Sequence, residues 1–282
     1  MASAKDIVIK PITAAAANAI IKRLHYSGTF VRNSQLHFGV FLGGRLEGAM
    51  QFGPSLDKRK LQGLVSGTGW NGFIELNRMA FSDALPRNSE SRAMAVAFRL
   101  MRKHYPHIEW VVSFSDGTQC GDGTIYRAAG FVLTGIKKNN QVWAAPTGET
   151  FSRMSLTDQQ TKLPKSAARE IISRTSMTKG GNNHATGAAS MKEYANAGFR
   201  PLEGFQLRYV YFLNRAARDR LTVPVLPFSK IDEMGAGMYK GERIKRVKKA
   251  MTGDQPEQRR CDTDPPAPLP TADESAQAPQ AA

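Results

Sequence analysis

The chain has 282 residues, room for one domain of about 200 residues with appendages. Its 39 lysines and arginines against 24 aspartates and glutamates favour a polyanionic partner, nucleic acid first and anionic membrane second. No apolar run reaches the roughly 18 residues of a membrane span, the N-terminus lacks a secretory apolar core, and two cysteines cannot form a disulfide framework. We therefore expect a soluble protein of a reducing cytoplasm, with no membrane partner.

The first half of the chain predicts alternating strands and helices. I-V-I-K (7–10) is typical of a short strand, and the alanine-rich run 14–25 predicts a helix that begins after Thr13, a good N-cap. Two apolar runs joined by Gly43-Gly44 predict a hairpin, and F-I-E-L-N-R-M-A-F (73–81) predicts the next strand. G-T-G-W-N-G before that strand is no dinucleotide motif, since a helix would have to follow it.

Ser89 opens a long predicted helix. Its buried face is predicted from residues at helical spacing, namely Met94, Ala97, Phe98, Met101 and Tyr105. Three arginines share another face, Arg92, Arg99 and Arg102; a solvated stripe is favoured over a DNA contact for them.

W-V-V-S-F-S (110–115) predicts a buried strand that leads into Asp116 and a loop with three glycines. The glycines allow positive φ and close approach to a ligand. A short helix is predicted from about 124 to 129 and ends at Gly130. The runs 131–136 and 207–213 predict two further strands. The pattern is that of an α/β (α+β) fold with a mixed central sheet flanked by helices.

Composition divides the chain into five segments. We expect a catalytic core over 1–157, an insertion or mobile loop over 158–187, and the rest of the core over 188–239. Residues 240–251 form a basic segment, and the Pro- and Ala-rich residues 252–282 predict a disordered tail. Within the basic segment the expected DNA-binding residues are Lys245, Arg246, Lys248 and Lys249. A solvated charged end is the alternative.

The element order and the hexapeptide Y-R-A-A-G-F resemble the GNAT acyltransferase superfamily. The resemblance implies that the strands 73–81 and 110–115 splay apart, with the pantetheine arm of acetyl-CoA, or another acyl-CoA, in the gap. It also implies that the loop before the long helix holds the pyrophosphate. The cofactor-binding residues expected on this basis are Ala80, Phe81, Arg87, Asn88, Ser89 and Ser91. The usual glycines of that loop are absent, and Glu90 and Ser91 stand in their place.

A closer resemblance connects the chain with the Mom DNA-modification family of bacteriophages. It rests on four blocks in order: L-H-Y-S-G, E-L-N-R-M-A-F-S-D-A-L-P-R-N-S-E-S-R, F-S-D-G-T-Q-C-G-D-G-T-I-Y-R-A-A-G-F and L-T-V-P-V-L-P-F. The resemblance implies conversion of adenine N6 in double-stranded DNA to a methylcarbamoyl (acetamido) form, which protects phage DNA from host restriction. The important positions that it implies are His25, Arg78, Asp116 and Tyr126.

Each of these residues also has its own chemistry. Tyr126 matches the general acid that protonates the leaving thiolate in GNAT enzymes, with an exposed capping aromatic as the alternative. Asp116 ends a buried strand and is either functional or a turn former. Arg78 interrupts an apolar strand and needs an anionic partner, either Glu75 or Asp116 or a substrate group. His25 ends the first helix, where its charged form is favoured, and is either functional or a cap.

The implied product sets a further demand, because acyl transfer alone would leave an amide on N6 rather than an N6–methylene bond. One hypothesis is an iron ion held by His25, Asp116 and Tyr126. Cys120 is interpreted as an incidental thiol and Asp122 as a turn residue. Trp70 or Tyr26 is a candidate for stacking on an extruded base, with a core role as the alternative. The competing functions are an ordinary GNAT enzyme that acetylates a protein or small amine, and a non-catalytic DNA-binding protein.

Overall fold

A computed structural model describes residues 2–118, 121–153, 156, 191–239 and 242–243. They belong to one compact unit, Met1–Ile244. A seven-stranded sheet has the order β1-β2-β3-β4-β5-β10-β6, from β1 (Val8–Pro11), β2 (Leu36–Leu42), β3 (Arg45–Gly53), β4 (Phe73–Phe81), β5 (Trp110–Asp116), β6 (Val132–Asn139) and β10 (Gly204–Phe212). The helices are α1 (Ala14–Leu24), α2 (Lys58–Gln62), α3 (Ser89–His104), α4 (Thr124–Ala128), α5 (Met191–Asn196), α6 (Ser229–Glu233) and a 3-10 helix, Arg215–Arg220.

Two small sheets accompany the central one. The strands β7 (Val142–Ala144), β8 (Thr150–Ser152) and β9 (Arg200–Pro201) form the order β8-β7-β9 and share a separate apolar cluster with α5. The strands β11 (Met238–Tyr239) and β12 (Glu242–Arg243) form a two-stranded sheet. No helix among the described residues is long and apolar enough to cross a membrane.

Alternation along the strands assigns the two faces of the central sheet. Leu207 and Tyr209 of β10 pack in the largest cluster, with the buried side of α3 and with α4. Val210 points to the opposite side of the strand and packs with Trp110 and Val112 of β5 in a different cluster. Ala80 of β4 packs against α1. One face is therefore covered by α3 and α4, and the opposite face by α1, α2 and the 3-10 helix.

The parallel ladder between β4 and β5 stops after three residue pairs, the last of them Glu75 with Val112. Beyond it a single side-chain bond, from Ser113 Oγ to the Leu76 carbonyl at 3.3 Å, still joins the strands. A register shift in the β3–β4 ladder pairs Phe52 with Leu76 but Gln51 with Arg78, so β4 carries an extra residue. The predicted splay of these two strands is confirmed.

Most of the predicted elements are confirmed within one to three residues. Thr13 Oγ1 caps α1 by accepting from the Ala16 N–H at 3.3 Å. The predicted buried face of α3 is right for its four central positions but wrong for Tyr105, which ends the helix and is 37% exposed. Sequence patterns did not indicate α2, α5, α6, the 3-10 helix or the two small sheets. The predicted insertion 158–187 and tail 252–282, and Cys120, lie outside the described residues.

The loop before α4 requires a glycine at position 123, which packs closely against the buried Tyr209 ring. Gly123 has φ +76°, and a Cβ there would lie 2.5 Å from the Tyr209 ring. The Tyr209 hydroxyl donates to the Asp122 carbonyl, so ring and loop are fixed together. Gly117 has no positive φ, contrary to expectation; a Cβ there would lie 3.1 Å from the Phe205 carbonyl oxygen.

Gly123→Ala should therefore destabilise the protein by about 3 kcal/mol, because it adds a clash to left-handed strain. Gly43→Ala is the matched control, since Gly43 has φ +55° and open space at its Cβ; strain alone should cost about 1 kcal/mol. Urea unfolding of both variants measures the difference. Equal losses would show that Tyr209 moves aside at little cost.

Candidate functional site

The open edges of β4 and β5 define the candidate site. Four ionisable side chains lie on the α1 side of the gap: Glu75, Arg78, Asp116 and, at the end of α1, His25. Tyr126 lies on the other side, in the cluster beneath α3. The structure thus places three of the four predicted positions on one face of the sheet, with His25 and Arg78 in electrostatic contact, and the fourth on the opposite face.

His25 is the C-cap residue of α1, and its backbone N–H donates to the Ile21 carbonyl. Its Nδ1 lies 2.8 Å from Ser27 Oγ and 3.2 Å from the Ser27 backbone nitrogen. Burial, and then the charge of Arg78, lower the pKa of His25 to about 3. The expectation that the helix end favours the charged form is therefore wrong, because desolvation and a neighbouring cation outweigh the helix dipole.

Arg78 is half-buried and held by backbone groups rather than by a carboxylate. Its Nε donates to the Thr29 carbonyl at 3.2 Å, and its Nη1 donates to the Asn77 carbonyl at 2.7 Å. Within the described part of the chain it has no acidic group within 4.0 Å, so neither predicted ion pair forms. The guanidinium keeps donors for an external anion.

Two carboxylates lie on the same face. Burial raises the pKa of Glu75, while polar neighbours and Arg78 act in the opposite direction. Burial also raises the pKa of Asp116, and the backbone N–H of Thr118, which donates to Asp116 Oδ1 at 3.0 Å, opposes the rise. The turn interpretation of Asp116 is thus correct in its geometry. Its second oxygen accepts no bond from the described backbone, which leaves room for a functional role.

Tyr126 is buried rather than exposed, so it is not a capping aromatic in water. Its ring centroid lies 5.3 Å from those of Phe131 and Tyr209. Asp122, interpreted from the sequence as only a turn residue, is 4% exposed; it accepts from Thr124 Oγ1 at 2.7 Å and pairs with Arg127 at 3.4 Å. Asp122 therefore fixes the first turn of the helix that carries Tyr126.

The loop expected to hold a pyrophosphate has an unusual backbone. Asn88, the N-cap of α3, has φ +69°, in the left-handed region that non-glycine residues rarely adopt. The Ser89 and Ser91 hydroxyls donate to carbonyls of the same loop, those of Pro86 and Asn88. Ser89 is buried, whereas Arg87 and Asn88 are exposed beside the helix N-terminus. Ala80 packs under α1 and Phe81 on the other face, so they lie on either side of β4.

The two aromatic candidates for base stacking are both exposed, which argues against the core alternative. Tyr26 is 59% exposed, and its ring centroid lies 4.2 Å from that of His25. Trp70 is 51% exposed and lies under Lys58 Nζ at 4.6 Å, before the first residue of β4. Tyr26 is next to the candidate site and Trp70 is at the far end of β4.

Other predicted sites fall elsewhere. Among the described residues no group of three or more His, Cys, Asp or Glu is arranged to hold a metal. The iron hypothesis stays a prediction, and no chemistry below depends on it. In the predicted solvated stripe, Arg102 is bound to the Leu213 carbonyl and the Tyr211 hydroxyl. Lys245, Arg246, Lys248 and Lys249 lie outside the described residues.

Comparisons with known proteins agree on one family. The model of the Mom protein family matches residues 6–230. A methylcarbamoylase, mom, of Escherichia phage Mu is 33% identical over 230 residues, covering 80% of this chain and 85% of that protein. Solved structures give weaker likenesses. A probable acetyltransferase from Staphylococcus epidermidis has a TM-score of 0.37 at 11% identity, covering 73% of this chain and 98% of that one.

A GNAT family acetyltransferase from Elizabethkingia anophelis, solved with acetyl-CoA bound, has a TM-score of 0.32 at 14% identity and covers 52% of this chain and 93% of that one.

The neutral state of His25 predicts a pH dependence of stability. Unfolded histidine has a pKa of about 6.5, so below that pH the unfolded chain binds a proton that the folded chain refuses until the pH nears about 3. The free energy of unfolding should therefore decrease as the pH is lowered through this window. His25 contributes up to about 1.4 kcal/mol of this decrease per pH unit.

His25→Asn does not titrate and keeps an acceptor near Ser27, so its urea-unfolding free energy should fall less steeply between about pH 6.5 and 4.5 than that of the parent protein. His107→Asn, at an exposed position, is the control and should leave the slope unchanged. A His25→Asn slope equal to that of the parent would mean that His25 is charged in the folded protein.

Proposed function

This chain belongs to the Mom protein family, and we propose that it modifies adenine N6 in phage double-stranded DNA to the methylcarbamoyl form, using an acyl-CoA. The reaction would take place in the cytoplasm of the host bacterium, where phage DNA and acyl-CoA meet, and would protect the DNA from restriction. The observation that carries the proposal is the gap between β4 and β5, with different functional groups on its two faces.

The two faces divide the work between nucleophile and leaving group. A thioester lying in the gap would meet the incoming amine on the α1 face, where Asp116 and Arg78 lie. The thiolate would depart towards the α3 face, where Tyr126 lies. A base and an acid on opposite sides of the reacting carbon suit this displacement, which forms an N6–acyl bond and releases CoA as its thiol. By itself this step gives N6-acetyladenine; the methylcarbamoyl product also requires an N6–methylene bond and a nitrogen donor, which a further step would have to supply.

Adenine N6 is a poor nucleophile, since its lone pair is delocalised into the ring. Asp116 would compensate by accepting an N6 proton, and its raised pKa makes it a stronger base than an exposed aspartate. His25, neutral at the end of α1 on the same side of the gap, would add a hydrogen-bonding group without adding positive charge. Positioning of these groups supplies much of the rate.

The target base must leave the duplex, because N6 is otherwise shielded by pairing and stacking. We assign Tyr26 as the residue on which the extruded adenine stacks, since it is exposed and contacts His25. Trp70 lies eight residues before Arg78 along the chain and is too distant for this role. The basic segment with Lys245, Arg246, Lys248 and Lys249 stays the proposed contact with more distant phosphates.

The acyl-CoA would lie along the open strand edges, where its amides replace the missing ladder bonds. The exposed Arg87 and the first turn of α3 would hold the pyrophosphate.

Tyr126→Phe and Asp116→Asn test the chemistry. Each keeps the shape of the side chain, so both variants should melt near the parent temperature and bind DNA normally. Modified adenine should fall by about 100-fold or more, because an acid or a base is lost. Nucleoside mass spectrometry of DNA from expressing cells gives the measurement, with the exposed Tyr105→Phe as control.

Normal modification in Tyr126→Phe would contradict its assignment as the acid. Unmodified DNA in the parent strain, with acetylated protein or amines, would favour an ordinary GNAT enzyme. DNA binding without any modification would favour the non-catalytic alternative.

Arg87→Ala should weaken acetyl-CoA binding about tenfold, because it removes a charged hydrogen bond to phosphate. Arg99→Ala, two to three turns further along α3, should leave binding unchanged. Isothermal calorimetry with and without DNA measures both. The absence of CoA binding in the parent protein under either condition would remove the cofactor assignment.

A further inference from the structure

A second half-buried arginine, Arg208, lies on the same face of the sheet as Arg78, on the other side of β5. Arg208 of β10 pairs with Phe114, and the neighbouring pair joins Gln206 to Asp116. Val210 packs in the cluster on the α2 side of the sheet, and alternate strand residues share a face, so Arg208 and Asp116 point to the same side. The strand order β4-β5-β10-β6 therefore places the backbones of the two arginines on opposite sides of β5, and the Arg208 guanidinium is directed towards Thr134 of β6.

Thr134 and Gly135 of β6 hold the guanidinium of Arg208 in place. Its Nε donates to Thr134 Oγ1 at 3.0 Å, and its Nη2 donates to the Thr134 carbonyl at 2.8 Å. The Thr134 hydroxyl in turn donates to the Arg208 carbonyl at 3.2 Å. A Cβ at Gly135 would lie 3.2 Å from Nη2 and 3.4 Å from Cζ, so the bare glycine backbone makes room for the group.

These contacts do not neutralise the positive charge of Arg208. In the described part of the chain no carboxylate lies within 4.0 Å of Arg208, and its Nη1 makes no hydrogen bond. Burial lowers the pKa of Arg208, which reflects the cost of this position for a cation. Arg78 is likewise held by carbonyls; it interacts electrostatically with Glu75, but no carboxylate of the described residues lies within 4.0 Å of its guanidinium. Two half-buried guanidinium groups that are not in ion-pair contact with a described carboxylate are suited to binding anions.

We propose that Arg208 and Arg78 bind phosphates of the DNA backbone on either side of the site that receives the target adenosine. The inference rests on the proposed function and names the residues that hold the substrate backbone. Phosphate contacts fix the position of DNA without reading its sequence, and a nucleotide held on both sides presents its base to the groups between. Asp116, at the end of β5 between the strands that carry the two arginines, is where the amine would arrive.

The competing source of the anion is the cofactor, because CoA also carries phosphates. Arg208→Gln separates the two, since it removes the charge and keeps a polar side chain. Arg102→Gln is the matched control: Arg102 also donates to one carbonyl and one hydroxyl, at 3.0 and 2.7 Å, but from α3 on the opposite face. Duplex affinity is measured over a range of salt concentrations, and acetyl-CoA affinity by calorimetry.

We expect Arg208→Gln to bind duplex DNA about 10- to 100-fold more weakly, with a plot of log affinity against log salt that is shallower by about 0.9. Acetyl-CoA affinity should not change, and Arg102→Gln should match the parent in both measurements. Arg208→Lys keeps the charge but not the planar fork, so it should keep the salt slope and lose affinity. It also carries the test if Arg208→Gln does not fold.

An Arg208→Gln protein with the parent's slope and affinity would make Arg208 a structural residue and overturn the proposal. Loss of acetyl-CoA affinity with unchanged DNA affinity would assign the phosphate to the cofactor instead. If the parent protein itself did not bind DNA, the proposed function and this inference would both fail, whereas a parent that binds and modifies DNA isolates the result to Arg208.

Discussion

The early end of the β4–β5 ladder is the constraint on which the site depends. β5 stays paired with β10 along its whole length, through Asp116, whereas β4 follows β3 up to Phe81. Each strand keeps its other neighbour, so the sheet opens only between these two. The open edges keep backbone donors and acceptors that a ligand must satisfy. The extra residue in β4 adds to this effect, because it turns Arg78 towards the α1 face rather than into the α3 cluster.

The electrostatics of that face follow from burial more than from pairing. Burial, and then the charge of Arg78, lower the pKa of His25 and keep it neutral, while the same charge partly offsets the cost of burying Glu75. Since no acid within 4.0 Å neutralises Arg78 or Arg208 in the described part of the chain, the face keeps two positive charges around raised-pKa carboxylates. Positive charge on this face favours anions over cations.

Local patterns predicted the fold well and the site only in part. Caps, glycines and apolar periods depend on neighbouring residues, and they predicted α1, α3, α4 and the hairpin. The protonation of His25 depends on Arg78, 53 positions away in the sequence and close only in the fold. The same holds for Asp122, whose role depends on Arg127 and Tyr209 together. Arg208 is indicated in the sequence by its position, because it is a cation inside the apolar run L-R-Y-V-Y-F-L. Arg78 interrupts its own apolar strand in the same way.

The two arginines also bear on why a chain would accept their cost. Burying an unpaired cation destabilises the free protein, and an ion pair with an aspartate would remove that cost. Such a pair would, however, have to be broken before a phosphate could bind. Carbonyl and hydroxyl partners orient the guanidinium without neutralising it, so the site is organised for an anion before the anion arrives. Under the proposed function, the stability given up in the free protein becomes available as affinity for the substrate backbone.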